Sequence, residues 1–109
     1  VDADSTIDGR VVVEAGARVV ASHIRGPAII GAGALVERTY VGPFTAIAAD
    51  CVLTDSEVEH SVILERAVID GVPRLTDSLI GRDTRVHRTG RRPAATRLMI
   101  GDHCSIDLE

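Results

Sequence analysis

Ile24–Val58 reads IRGPAIIGAGALVERTYVGPFTAIAADCVLTDSEV, and its large aliphatics fall at Ile24, Ile30, Val36, Val41, Ile47, Leu53 and Val58. The steps between them are six, six, five, six, six and five residues. A helix cannot use that interval, because six residues at about 100° each turn a side chain through roughly 240° and scatter successive aliphatics over three faces. One long strand fails too, since a five-residue step moves the side chain to the opposite face. The interval works if the chain turns a corner between aliphatics. Each unit is then one short strand with one inward anchor, and three units close a triangular coil of 17 residues.

The same interval holds outward from this stretch. Three ladders are expected: Val13–Ile30–Ile47–Ile63–Ile80, Val19–Val36–Leu53–Ile69–Val86 and Ile7–Ile24–Val41–Val58–Leu75, with one shortened unit before Ile63. Each stacks similar side chains at roughly the 4.8 Å strand spacing and buries a face that no single repeat could bury alone. Small residues fit the frame. Gly16 and Gly33 share one corner position, and Gly31 and Gly81 follow an inward Ile, where a turn wants permissive backbone. Pro27 and Pro43 sit at bends, where a ladder donor is dispensable. Ser22, Thr39, Ser56, Ser61 and Ser78 each stand two residues before an inward aliphatic, which places a small hydroxyl near a corner. The spacing therefore predicts an all-β parallel β-helix of about six triangular coils, as a single domain over residues 1–109. The register fails after Val86, where HRTGRRPAATRLM (87–99) has no aliphatic at the expected step before IGDHCSI (100–106). Residues 87–97 are read as an excursion loop from a corner, with Ile100 and Ile106 in a last partial coil.

Composition agrees with a solenoid and narrows its chemistry. The chain has 109 residues, 45% hydrophobic and 2% aromatic, so the core is built from Val, Ile, Leu and Ala. A net charge of −4 argues against nucleic acid as a partner. All twelve basic residues are Arg, which removes every lysine-dependent reaction from this chain. No apolar run has the length of a membrane span and no leader pattern is present, so no membrane contact is expected. Cys51 and Cys104 are expected as free thiols, in keeping with a cytoplasmic setting. The chain meets its repeat at about Ile7, soon after Val1, and is read as a fragment of something longer.

Few residues invite a chemical role. Six of the twelve arginines lie between Arg82 and Arg97. Of these, Arg85, Arg88, Arg91, Arg92 and Arg97 are candidates for an anion site or for an interdomain or subunit contact, against the plainer reading of solvated surface salt bridges. Among His23, His60, His87 and His103, His87 at the root of the excursion is best placed to act as a general base. A three-histidine zinc site needs a close pair that the sequence lacks, so no metal is expected. Gly31–Ala34 (GAGA) is followed by another repeat unit and not by a helix, which removes the logic of a phosphate-cradling loop. Tyr40 and Phe44 are the exposed larger groups proposed for subunit contacts.

The units IGAGAL, VGPFTA, IGRDTR and IGDHCS resemble hexapeptide-repeat proteins, and that resemblance implies a left-handed helix. A closer resemblance rests on IRGPAIIGAGALVERTYVGPFTAI, SEVEHSVILERAVIDGVPRLTDSLIGR and the ending RRPAATRLMIGDHCSIDLE. These look like the C-terminal domain of long-form glucose-1-phosphate thymidylyltransferases, which join dTTP and glucose 1-phosphate into dTDP-glucose and pyrophosphate. It implies that the chemistry, its Mg2+ and a catalytic lysine belong to an N-terminal nucleotidyltransferase domain absent here. No catalytic residue and no cofactor are then expected in this fragment. Its partners would be its own catalytic domain and further copies of itself, in a homo-oligomer. The alternative is a hexapeptide-repeat acyltransferase that binds acetyl-CoA between subunits and uses His87 as base.

Overall fold

The computed structural model describes residues 4–88 and 96–99, which form a left-handed parallel β-helix. Each coil contributes three short strands. The first coil holds β1 (Thr6–Asp8), β2 (Val11–Val13) and β3 (Arg18–Val20). The second holds β4 (His23–Arg25), β5 (Ala28–Ile30) and β6 (Leu35–Glu37), and the third β7 (Tyr40–Val41), β8 (Thr45–Ile47) and β9 (Val52–Thr54). The fourth has β10 (Glu57–Glu59), β11 (Val62–Ile63) and β12 (Val68–Asp70); the fifth has β13 (Leu75–Thr76), β14 (Leu79–Ile80) and β15 (Arg85–Arg88). A last strand, β16 (Thr96–Met99), turns back against β15.

Three parallel sheets result: β1-β4-β7-β10-β13, β2-β5-β8-β11-β14, and β3-β6-β9-β12-β15 with β16 at its edge. Their registers put every expected ladder in place. Ile7, Ile24, Val41, Val58 and Leu75 pair in the first sheet. Val13, Ile30, Ile47, Ile63 and Ile80 pair in the second, and Val19, Val36, Leu53, Ile69 and Val86 in the third. From Ile24 to Ile80 the large anchors are almost wholly hidden from solvent. Full burial of one such side chain contributes roughly 1.5–3 kcal/mol.

The corners follow one rule: a residue with positive φ, then in most coils a small buried one. Between the second and third sheets, Gly16, Gly33, Asp50, Arg66 and Asp83 have φ of 57–78° and precede Ala17, Ala34, Cys51, Ala67 and Thr84. Between the third and first sheets, Ala21, Arg38 and Asp55 do the same before Ser22, Thr39 and Ser56. Phe44, His60 and Asp77 precede Thr45, Ser61 and Ser78 at the remaining corner. Nine of these positions carry no glycine. Four of the nine are Asp, a residue that tolerates this conformation better than most.

Corner hydroxyls tie the coils together. Ser61 Oγ donates to the Glu59 carbonyl at 2.9 Å and accepts the Ser78 amide at 3.2 Å. Ser22 and Ser56 do the same, donating to Val20 and Thr54 and accepting from Thr39 and Val72. Each hydroxyl thus closes its own turn and receives the next coil. Among the described residues no buried side-chain polar atom lacks a partner.

Outside, the corner residues stack as well. Arg38 donates to both Asp55 oxygens at 2.7 and 3.0 Å, and Arg66 donates to both Asp83 oxygens at the same distances. These hydrogen bonds hold the Asp55 and Asp83 carboxyls below the usual carboxylate range.

Two sequence expectations change. Gly31 has no positive φ; instead, a Cβ there would lie 2.5 Å from the Ala48 carbonyl carbon, so the glycine is required by the close approach of the next coil. The excursion is narrower than 87–97. Residues 87 and 88 continue β15, and β16 pairs antiparallel with it, Arg85 opposite Met99 and His87 opposite Arg97. Arg92 and Arg97 occupy the places, 17 residues after Leu75 and Ile80, where the ladders would need aliphatics. An unpaired guanidinium group in an apolar core is costly, and by Thr96 the chain has reversed to pair with β15. Five coils are described; the sixth, on Ile100 and Ile106, lies outside the described residues, as does Cys104.

Ser61→Ala should lower stability by about 1–3 kcal/mol, because it strands the buried Ser78 amide, and thermal unfolding should show a fall of several degrees. Gly31→Ala should cost about 1–3 kcal/mol through overpacking, read from the urea midpoint at unchanged m-value. Asp55 should titrate below the usual carboxylate range by NMR, and return to it in Arg38→Ala. Since its folded pKa is depressed, its small contribution to stability is present above the unfolded pKa and lost as pH falls through the folded one.

Candidate functional site

The solenoid presents three outer faces, and the parity of each short strand decides what they carry. In the first and third sheets the middle residue of a three-residue strand points inward, so the flanking two point out. In the second sheet the middle residue points out. Two faces therefore show double columns and one shows a single column.

The third face holds the sequence candidates. Arg85 ends an outward column that begins Arg18, Leu35, Val52 and Val68. His87 ends the parallel column of Val20, Glu37, Thr54 and Asp70. It is exposed, beside Asp70, whose carboxylate accepts a 2.7 Å hydrogen bond from Thr54. Strand pairing brings Arg85, His87, Arg88 and Arg97 onto two adjacent strands. Arg91 and Arg92 lie outside the described residues. Arg97 thus pairs with His87, while Arg88 takes the same parity as inward Val86, so the register does not gather the cluster on one face.

A shallow depression of about 200 Å³ lies instead on the first face, lined by Tyr40, Glu57, Val58, Glu59 and Arg74. Arg74 donates to Glu59 at 2.9 Å. Tyr40, expected as an exposed contact residue, is half-buried with its ring edge-on to His23, at 5.5 Å between centroids. Phe44 is 68% exposed and meets the His60 ring edge-on. His23 pairs with Asp8 at 2.8 Å. Among the described residues no three His, Cys, Asp or Glu side chains gather where they could hold a metal ion. Gly31–Ala34 is a corner turn running into β6. Cys51 is a free, buried thiol that donates to the Leu64 carbonyl at 3.0 Å, and burial pushes its pKa up. No described helix is long and apolar enough to cross a membrane.

Sequence reasoning missed the second face. Its outward column is Val12, Ile29, Ala46, Val62 and Leu79, one residue from each strand of the sheet. Val12, Ile29 and Val62 are 43–50% exposed. The signal was present as apolar doublets, each outward residue standing directly before an inward Val or Ile: VV, II, AI, VI and LI.

No protein-family model matches the chain. A glucose-1-phosphate thymidylyltransferase of Streptomyces griseus is 52% identical over 103 residues, which is 94% of this chain and 29% of that enzyme. A second, of Streptomyces antibioticus, is 45% identical over 109 residues, or 100% of this chain and 31% of that enzyme. The chain thus spans less than a third of the curated relatives it matches. Among solved structures, the acetyltransferase domain of PglB from Neisseria gonorrhoeae, in complex with acetyl coenzyme A, is similar at a TM-score of 0.48 and 18% identity. That similarity covers 88% of this chain and 53% of the PglB domain, and is too distant to bear on chemistry. Both matches extend over nearly the whole β-helix. Over nearly its whole length this β-helical chain matches the C-terminal part of curated glucose-1-phosphate thymidylyltransferases.

Proposed function

We propose that this chain is the noncatalytic assembly domain of an enzyme that joins dTTP and glucose 1-phosphate into dTDP-glucose. The observation that supports it is 52% identity to the Streptomyces griseus enzyme across 94% of the chain. Nucleotide, sugar phosphate and Mg2+ would be handled by the portion of the parent that lies outside these 109 residues. The β-helix would contribute a rigid body, with Arg85, Arg88, Arg91, Arg92 and Arg97 available for contact with the catalytic portion. Short coils locked by corner hydrogen bonds suit that work, since a surface held by stacked strands keeps its shape under load. A cytoplasmic setting belongs to the same reading, because Cys51 is kept as a free thiol.

Replacing the matching segment of the Streptomyces griseus enzyme with this chain should leave its thymidylyl transfer within about fivefold of the parent. A folded chimera without activity would overturn the assignment. The chain alone should show no thermal shift with acetyl-CoA. A ligand at 100 times its Kd stabilises a fold by about 2.7 kcal/mol, so an acetyl-CoA site would announce itself as a rise of several degrees and favour an acyltransferase with His87 as base.

A further inference from the structure

The first face carries two outward columns, and its middle is unlike its ends. Thr6, His23, Tyr40 and Glu57 stack in register as one column, which Arg74 continues just before β13. The other column passes through Gly42, which has no side chain to offer. Its neighbours fill the gap. A Cβ on Gly42 would lie 2.6 Å from Glu59 Cβ and 3.1 Å from both Glu59 Oε2 and Tyr40 Cε2, so Glu59 and the Tyr40 ring both close over the glycine. Arg74 holds the other Glu59 oxygen at 2.9 Å, and only 23% of the Glu59 side chain is exposed. Tyr40 is held in turn by the His23 ring, edge-on at 5.5 Å.

We infer that the depression lined by Tyr40, Glu57, Glu59 and Arg74 over buried Val58 is a binding site for the pyranose ring of a sugar. Its volume of about 200 Å³ is below the roughly 300–1,000 Å³ of pockets for drug-sized ligands, so it takes one ring and no more. The lining matches a ring that carries hydroxyls on neighbouring carbons. Two carboxylates accept O–H groups, the Arg74 guanidinium donates to hydroxyl oxygens, and the Tyr40 hydroxyl does either. The Tyr40 ring adds an apolar surface for the C–H side of the pyranose. A phosphate is a poor fit, because two carboxylates stand against one guanidinium and repel it. An acyl chain is a poor fit too, since the walls are charged.

Packing sets the geometry and shallowness sets the strength. Tyr40 and Glu59 are fixed by their neighbours before any ligand arrives, which lowers the ordering cost of binding. Glu57 is exposed and adjusts its rotamer to the ring. A shallow site covers one side of a sugar and leaves the other in water, so the affinity is weak, with Kd on the order of 1–30 mM. The inference goes beyond the assembly reading: the chimera reports thymidylyl transfer and not sugar binding by the β-helix, so either can fail without the other.

NMR titration of the isotope-labelled 109-residue chain with methyl α-D-glucopyranoside, to about 100 mM, should give saturable amide shifts centred on Tyr40–Gly42, Glu57–Glu59 and Arg74–Thr76. Glu57→Gln and Tyr40→Ala should each weaken binding at least about fivefold while the rest of the amide spectrum is retained. Glucose 1-phosphate should bind no more tightly than the glucoside, because its phosphate meets the two carboxylates. No saturable shift, shifts centred on another face, binding indifferent to both substitutions, or glucose 1-phosphate about tenfold tighter would each overturn the proposal. A triarginine peptide that shifts the same amides at lower concentration would overturn it as well, and make the depression a docking point for a basic protein segment. Were Tyr40→Ala to disturb the coil, Glu57→Gln, made at an exposed position, decides alone.

Discussion

The hydrogen-bond ladder between successive coils is the constraint on which the rest depends. It fixes each residue over the one 16 or 17 places earlier, so any property of a position is repeated up the molecule. Inward positions become aliphatic columns. Corner positions become columns of left-handed backbone and small buried residues. Outer positions become stripes whose polarity is set strand by strand. A globular core can trade one contact for another, whereas a solenoid applies the same test at every coil, so substitutions are judged against the neighbours above and below.

The inward architecture was legible in the sequence because burial leaves a one-residue-in-six mark that no helix or long strand can imitate. The hydroxyls at Ser22, Thr39, Ser56, Ser61 and Ser78 were legible as corner residues, but the role of Ser22, Ser56 and Ser61 as donors to one turn and acceptors from the next was not, since it needs the register of two coils at once. The charged left-handed corners were not legible. Arg38 and Arg66 carry no sequence mark of positive φ, and only the aspartates above them, Asp55 and Asp83, show why long cations are welcome there. The end of the repeat was visible as lost periodicity, but the antiparallel return of β16 was not, because an edge strand is chosen by what it pairs with.

The surface was the least legible part, for a reason of attention and of physics. Candidate chemistry was sought in Arg and His, which stand out in any sequence. The face without a single charge is written in doublets such as Ile29–Ile30 and Val62–Ile63, where the inward residue hides its outward neighbour. An aliphatic counted once as core can be core and surface in adjacent positions when the strand is only three residues long.

A parallel β-helix has a hazard that its cousins among closed barrels avoid, because its last coil presents the same three strand edges that its own next coil would have used. A stranger's first coil could add to them, and then another, which is how a repeat becomes a filament. In this chain one of the three edges is already spoken for. β16 runs opposite to β15 along the third sheet, and no parallel strand from an incoming molecule can occupy the line it holds. The reversal at β16 is therefore also a polarity block: along the third sheet it denies head-to-tail growth one of the edges it would need.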